Sequence, residues 1–173
     1  TNTTGNDNTS GGYFAMYRNT TGQLNTAFGS QALEENTTGA NNTALGYKAL
    51  EANTTASNNT AVGYQAGYSN TTGGNNVAVG RDALKSVTTS SNNTAIGYSA
   101  LKHTTSNWST AVGFAALQEQ TSGSRNSALG YQSQVVTTTG VSNTSMGMLS
   151  LSTNTTGSYN TAFGDDALQA NTT

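Results

Sequence analysis

The stretch from Asn41 to Gly67 reads NNTALGYKALEANTTASNNTAVGYQAG, which is nearly the same phrase written twice. We number the repeat from the asparagine of each NTA word, so that Asn42 and Asn59, seventeen residues apart, both occupy position 1. A period this regular is typical of repeat architectures in which each unit buries one face against its neighbours.

The period continues along the chain in both directions. A single step, between Asn93 and Ser109, is one residue shorter than all the others. Because Ser109 to Gly113 resumes the pattern at once, we expect the short step to be a loop deletion that leaves the strand register intact. Trp108, directly before this point, is then expected on an outward-facing turn.

Position 4 of the repeat is apolar in nine of ten copies, which predicts a rank of core side chains. These residues are Phe28, Leu45, Val62, Val79, Ile96, Val112, Leu129, Met146 and Phe163. Position 5 is glycine in all ten copies, which indicates a backbone bend or a close approach that a Cβ atom would obstruct.

The second word of each repeat is usually Tyr-x-Ala-Leu, as in Tyr47 to Leu50. The glycine before it and the Asn-Thr-Thr-Gly turn after it leave fewer than the roughly 12 residues that a stable helix prefers. Two short strands and two turns therefore fit the repeat better than a helix.

The sequence predicts an all-β fold, a parallel β-solenoid or β-roll of about ten 17-residue coils with two short strands per coil. Residues 1–173 are expected to form a single repeat array, as a segment of a longer fibre. Stacking coils at about 4.8 Å places identical side chains above one another. Position 1 is therefore expected to form an asparagine ladder of Asn8, Asn25, Asn42, Asn59, Asn76, Asn93, Asn126, Asn143 and Asn160.

Composition narrows the range of partners. Only 8% of the residues are charged, the net charge is −2, and no basic patch is present, so nucleic acid and anionic membranes are poor candidates. No apolar run approaches the roughly 20 residues that span a bilayer, which predicts no membrane insertion in this segment.

The residues offer little for catalysis. His103 is the single histidine, no cysteine is present, and the eight carboxylates occupy variable positions of the repeat. No dinucleotide fingerprint or phosphate-binding loop occurs either. We therefore expect no enzyme activity, no catalytic residues, no metal site and no cofactor.

The acceptor sequence Asn-x-Ser/Thr recurs throughout the chain. At position 12 it is expected to lie in an outer loop, which makes Asn2, Asn19, Asn36, Asn53, Asn70, Asn154 and Asn171 candidate glycosylation sites. Alternatively, the pattern arises by accident in a chain rich in Asn and Thr. Val87-Thr88-Thr89 keeps the threonine pair without the asparagine, as if threonine served the structure.

The words NNVAVG at 75–80 and NNTAIGYSAL at 92–101 resemble the head repeats of YadA-type trimeric autotransporter adhesins, and similar repeats of phage tail-fibre proteins. The resemblance covers all ten repeats. It implies a left-handed roll, a homotrimer of three chains side by side, and a place on an extracellular fibre, a cell surface or a virion tail fibre.

The leading interpretation is a non-enzymatic extracellular structural fibre or adhesin, as its shaft or head. Self-association as a trimer or an end-to-end filament is expected, partly because leucines at position 9 form a second apolar rank that a thin roll leaves exposed. A cell-surface receptor or glycan is a further candidate partner. The alternatives are a glycan-coated environmental filament subunit and an ice-binding β-solenoid that uses the threonine rank at position 2.

Overall fold

The computed structural model describes residues 4–173, and every regular element in this part of the chain is a three-residue β-strand. The strands are β1 (Thr9–Gly11), β2 (Thr26–Phe28), β3 (Thr43–Leu45), β4 (Thr60–Val62), β5 (Val77–Val79), β6 (Thr94–Ile96), β7 (Thr110–Val112), β8 (Ser127–Leu129), β9 (Thr144–Met146) and β10 (Thr161–Phe163). They form one parallel sheet in sequence order. The predicted β-solenoid of stacked coils is confirmed.

The short step between coils does not disturb the sheet. Thr94 pairs with Thr110 and Ile96 with Val112, so β6 and β7 keep the register of the other strands. The missing residue is position 14, because Thr105 donates its hydroxyl to Thr121 O as position 13 does elsewhere, and Ser106 O accepts from Asn93 Nδ2 as position 15 does. Trp108 is 61% exposed where the chain bends between coils, as predicted.

Each coil contains one strand, so the prediction of two strands per coil was wrong. In the second word, positions 7 and 9 adopt the left-handed region, for example Lys48 at φ 55° and Leu50 at φ 50°. These positive φ values curl the chain into successive turns, closed by bonds such as Asn53 N to Leu50 O at 3.1 Å, and prevent an extended strand. Hydrogen bonds between coils continue nevertheless, since Leu50 N donates to Ala66 O at 3.0 Å.

Glycine at position 5 joins the strand to these turns. Gly63 has a φ of +133°, and a Cβ atom placed on it would lie 2.7 Å from Gly80 O of the next coil. Both the bend and the close approach predicted for this position are present.

The prediction that position 4 forms the core was wrong. Side chains alternate along a strand, and from β2 to β10 the buried residue is the alanine or serine of position 3. Positions 2 and 4 therefore point outward. Each member of the position-4 rank is exposed or half-buried: Phe28, Leu45, Val62, Val79, Ile96, Val112, Leu129, Met146 and Phe163.

The apolar core is instead built from small residues and leucines. Alanines of positions 3 and 8 are buried and pack with the leucines of position 9. Leu33, Leu101 and Leu117 have no exposed surface, so the expectation that a thin roll leaves this rank exposed was wrong. Alanine suffices at positions 3 and 8 because the larger leucine side chains of position 9 fill the remaining interior space.

An asparagine ladder at position 1 runs beside this core, as predicted. Asn42 N donates to Asn25 Oδ1 at 2.9 Å, and Asn59 N donates to Asn42 Oδ1 at 3.0 Å. Asn42 Nδ2 also donates to Ala56 O at 2.8 Å. The same backbone-to-amide link recurs along Asn8, Asn25, Asn42, Asn59, Asn76, Asn93, Asn126, Asn143 and Asn160, with Ser109 accepting in place of an amide at the short step.

A second buried ladder, at position 12, was not predicted. Asn36 Nδ2 donates to Asn19 Oδ1 at 2.7 Å, and Asn53 Nδ2 donates to Asn36 Oδ1 at 2.8 Å. Asn36 Nδ2 donates again, at 3.0 Å, to Gly39 O in its own turn. Amide groups therefore fill part of the interior that a globular protein fills with hydrocarbon.

Candidate interaction surface

The outward-facing apolar side chains of positions 4 and 6 form a surface that we call the apolar stripe. The two positions are separated by the glycine of position 5 in every coil. The stripe consists of Phe28, Leu45, Tyr47, Val62, Tyr64, Val79, Ile96, Tyr98, Val112, Phe114, Leu129, Tyr131, Met146, Met148 and Phe163, all exposed or half-buried.

Aromatic rings at position 6 stack from coil to coil. Ring centroids lie 5.3 Å apart for Tyr47 and Tyr64, and 5.1 Å apart for Tyr98 and Phe114. Phe114 and Tyr131 continue the stack at 5.2 Å. Because the strands below are in register, the spacing of the coils sets the spacing of the rings.

A single arginine bridges the gap in this stack. Arg81 also occupies position 6, and its guanidinium lies 5.3 Å from the ring centroid of Tyr64 and 5.8 Å from that of Tyr98. Its Nε lies 3.5 Å from an oxygen of Asp82, which balances the charge. The arginine thus continues the aromatic rank through cation–π contacts.

Lys48 borders the stripe beside Tyr47. Burial opposes its charge, but attraction to Glu51, helped by Tyr68 and Tyr47, outweighs burial and raises the pKa of Lys48 above its ordinary value. Lys48 Nζ lies 3.5 Å from Glu51 Oε1. Charge therefore lies at the edge of the stripe and is paired there.

The stripe has the properties of a docking surface. Nine coils at about 4.8 Å, from Phe28 to Phe163, give it a length of roughly 40 Å, and its two ranks give it a width of roughly 10 Å. Such an area, roughly 400 Å², lies within the range of about 300–600 Å² that a typical monomer leaves exposed as its largest apolar patch. Arg81 and Asp165 are the charged residues at positions 4 and 6, so charge interrupts the surface at few places.

The structure places most candidate glycosylation sites in the interior, so the expectation of an outer loop was wrong for them. Asn19, Asn36, Asn53, Asn70 and Asn154 are at most 2% exposed. Their Nδ2 groups donate to backbone carbonyls of their own turns, such as Asn70 to Gly73 O at 2.9 Å. An attached sugar would break these bonds. Asn171 is half-buried in the last coil, and Asn2 lies outside the described residues.

Threonine side chains either donate hydrogen bonds between neighbouring coils or point outward on the same face as the apolar stripe. At position 13 the hydroxyl donates to the carbonyl of the next coil, as Thr37 does to Thr54 O at 2.9 Å. Threonines of position 2 point outward with position 4, whose side chains range from valine to phenylalanine. This face therefore lacks the two matched hydroxyl ranks that would favour ice binding.

Other functional groups are dispersed. His103 is half-buried in a turn, and residues 4–173 contain no cluster of three or more His, Cys, Asp or Glu side chains arranged to hold a metal ion. Within the same residues no helix could cross a membrane.

No protein-family model matches the chain, and no curated protein or solved structure proved similar to it. The fold and the apolar stripe are therefore the observations on which a function has to rest.

Proposed function

We propose that this chain is a structural subunit of an extended extracellular assembly, in which copies associate side by side through the apolar stripe. The stripe is the observation that carries the proposal. It repeats with nearly every coil, so a second copy aligned with the first meets an apolar side chain at each step. Function then resides in a repeated surface and not in a catalytic pocket.

The size of the stripe supports a stable contact. A typical specific interface covers about 800 Å² on each partner, and the stripe, at roughly 400 Å², would form the apolar centre of such a contact. Its tyrosines, phenylalanines and methionines, and Arg81 in its aromatic rank, are of the kinds enriched at interfaces. Paired charges such as Lys48 and Glu51 lie at its edge, as in the polar rim of an interface.

A trimer is the arrangement that we favour. In a closed threefold ring each chain would turn the whole stripe toward the common axis and contact both neighbours there. The resemblance of NNVAVG and NNTAIGYSAL to the head repeats of trimeric adhesins and tail fibres supports the same arrangement on a surface fibre.

Sedimentation velocity of the folded protein tests the proposal. We expect a trimer for the unaltered chain and a monomer for the variant with Val62→Lys and Ile96→Lys, which places two unpaired charges in the stripe. The matched control carries Thr55→Lys and Thr72→Lys, at exposed position 14, and is expected to remain trimeric. A monomer at every concentration of the unaltered chain would contradict the proposal.

A further inference from the structure

Tyr47 and Tyr64 are two phenols stacked on the surface of adjacent coils. Their ring planes are inclined by 21°, and the side chains are 42% and 45% exposed. No other tyrosine at position 6 has a tyrosine at the same position of an adjacent coil. Arg81 lies between Tyr64 and Tyr98, and Phe114 lies between Tyr98 and Tyr131. The rank therefore brings one pair of phenols together.

We propose that Tyr47 and Tyr64 form an oxidative cross-linking site, where a dityrosine bond joins the two coils. The oxidant is hydrogen peroxide acting through a haem peroxidase, which removes one electron and one proton from each phenol. The two phenoxyl radicals couple through the ring carbons ortho to their oxygens. The hydrogen on each of these carbons then moves to the phenol oxygen, which restores both hydroxyls. One peroxide is reduced to two waters.

The geometry favours coupling within this pair. Strands β3 and β4 pair in register directly before the two residues, with Leu45 opposite Val62, so the rings are held above each other. With centroids 5.3 Å apart, the two exposed rings have to turn and shift toward each other for the ortho carbons to meet. Held reactants couple far more readily than free ones. Arg81 beside Tyr64 offers no second phenol.

The bond would tie two coils covalently at the edge of the sheet. Separating the two coils would then require breaking a carbon–carbon bond. The cross-link should therefore make these coils more resistant to local unfolding. The rings belong to one chain, so coupling needs no second copy; both lie in the apolar stripe, so the peroxidase would have to reach them before copies associate there.

The test treats dilute, folded protein with a haem peroxidase and hydrogen peroxide. We expect dityrosine fluorescence, a chain that stays monomeric on a denaturing gel, and one cross-linked peptide pair containing Tyr47 and Tyr64 with the loss of two hydrogen atoms. Tyr64→Phe should keep the stacked ring but lose this product. Tyr159→Phe, at an exposed tyrosine of another rank, should retain it.

A second variant, Phe114→Tyr, tests whether a new pair of stacked phenols creates a new cross-link. The ring centroid of Phe114 lies 5.1 Å from that of Tyr98 and 5.2 Å from that of Tyr131, so the variant should form an additional intrachain dityrosine bond. Undiminished intrachain dityrosine in Tyr64→Phe would overturn the proposal. So would a product found only between chains, whether or not the protein forms trimers.

Discussion

At the scale of single residues, the ladder at position 12 shows how much depends on one amide. The ladder ends at Asn70, because position 12 of the next coil is Val87, which has no donor. Asn70 Oδ1 is buried there without a hydrogen-bond partner. A cavity of about 10 Å³ adjoins it, lined in part by Gly67, which replaces the usual leucine of position 9. Two departures from the repeat thus weaken the same region.

Val87→Asn should stabilise the protein by about 1 kcal/mol, because Asn70 Oδ1 gains its missing hydrogen bond and the hydroxyl of Thr104, at position 12 of the following coil, can donate to the new Oδ1. The new amide would donate to Asn70 Oδ1 and, as elsewhere in the ladder, to the carbonyl three residues ahead. Urea unfolding followed by circular dichroism measures the change. Val87→Ala is the control and should destabilise, since it enlarges the cavity without adding a donor. Lower stability of Val87→Asn would show that the ladder does not tolerate extension.

At the scale of the strand, burial is decided by alternation and size more than by hydrophobicity. The effects of side-chain size and of hydrophobicity can be compared in the sequence at the adjacent positions 3 and 4. Position 4 is the more hydrophobic, but position 3 is restricted to alanine and serine. A restriction to small side chains indicates a narrow interior, whereas the range from Val62 to Phe163 at position 4 indicates free space. Hydrophobicity alone therefore predicts the wrong face of a strand only three residues long.

Ala95→Asp and Ile96→Asp separate the two faces. Ala95 has no exposed surface, so a carboxylate there is buried without a partner and should prevent folding. Ile96 is 40% exposed, and its replacement should cost about 1 kcal/mol or less. Circular dichroism and thermal unfolding of the two variants provide the comparison. A folded Ala95→Asp protein beside an unfolded Ile96→Asp protein would reverse the assignment of faces.

The period, the parallel stacking, the strand register across the short step and the position-1 ladder could all be predicted, because each depends only on the repeat. The position-12 ladder and the apolar stripe could not. Asn-Thr-Thr-Gly has the composition of a solvated turn, and only the observed turn geometry brings Asn36 and Asn53 inside. Left-handed conformations at residues such as Leu50 have no local signal, because glycine is the residue expected there.

Deletion of Thr55 tests the turn after this ladder. The short coil lacks position 14 and its Thr105 still donates to Thr121 O, so we expect Thr54 to keep its bond to Thr71 O without Thr55. We expect the deleted chain to fold with a small loss of stability, as loop changes at exposed positions usually give. Deletion of Asn53 should instead prevent folding of the neighbouring coils, because it removes a ladder amide and shifts the turn. Equal losses from both deletions would contradict a special role of position 12.

At the scale of the whole molecule, stability comes from interactions between neighbouring coils that are mostly uncharged. Asparagine amides do not titrate, so the hydrogen bonds of the amide ladders do not themselves depend on pH. Lys48 is different, since burial opposes its charge but attraction to Glu51 and two tyrosines outweighs burial and raises its pKa.

The raised pKa of Lys48 fixes the direction of the pH dependence. A lysine whose folded pKa exceeds its unfolded value contributes stability that is complete below the unfolded value and is lost as the pH rises through the folded one. We therefore expect the free energy of unfolding to be independent of pH near neutrality and to decrease in alkaline solution. Lys48→Met should remove part of that decrease. A stability that rises on the alkaline side would contradict this direction.

Coil after coil, this chain buries ladders of amides beside its core of alanine and leucine and leaves the larger apolar side chains of positions 4 and 6 outside. Hydrogen exchange of the asparagine side-chain amides, resolved by nuclear magnetic resonance, tests this arrangement most directly. Asn25, Asn42 and Asn59 are at most 1% exposed, whereas Asn41, Asn58 and Asn92 are exposed at position 17. We expect strongly slowed exchange of the Nδ2 protons in the first group and rapid exchange in the second; equal rates in both groups would show that the position-1 amides are not buried.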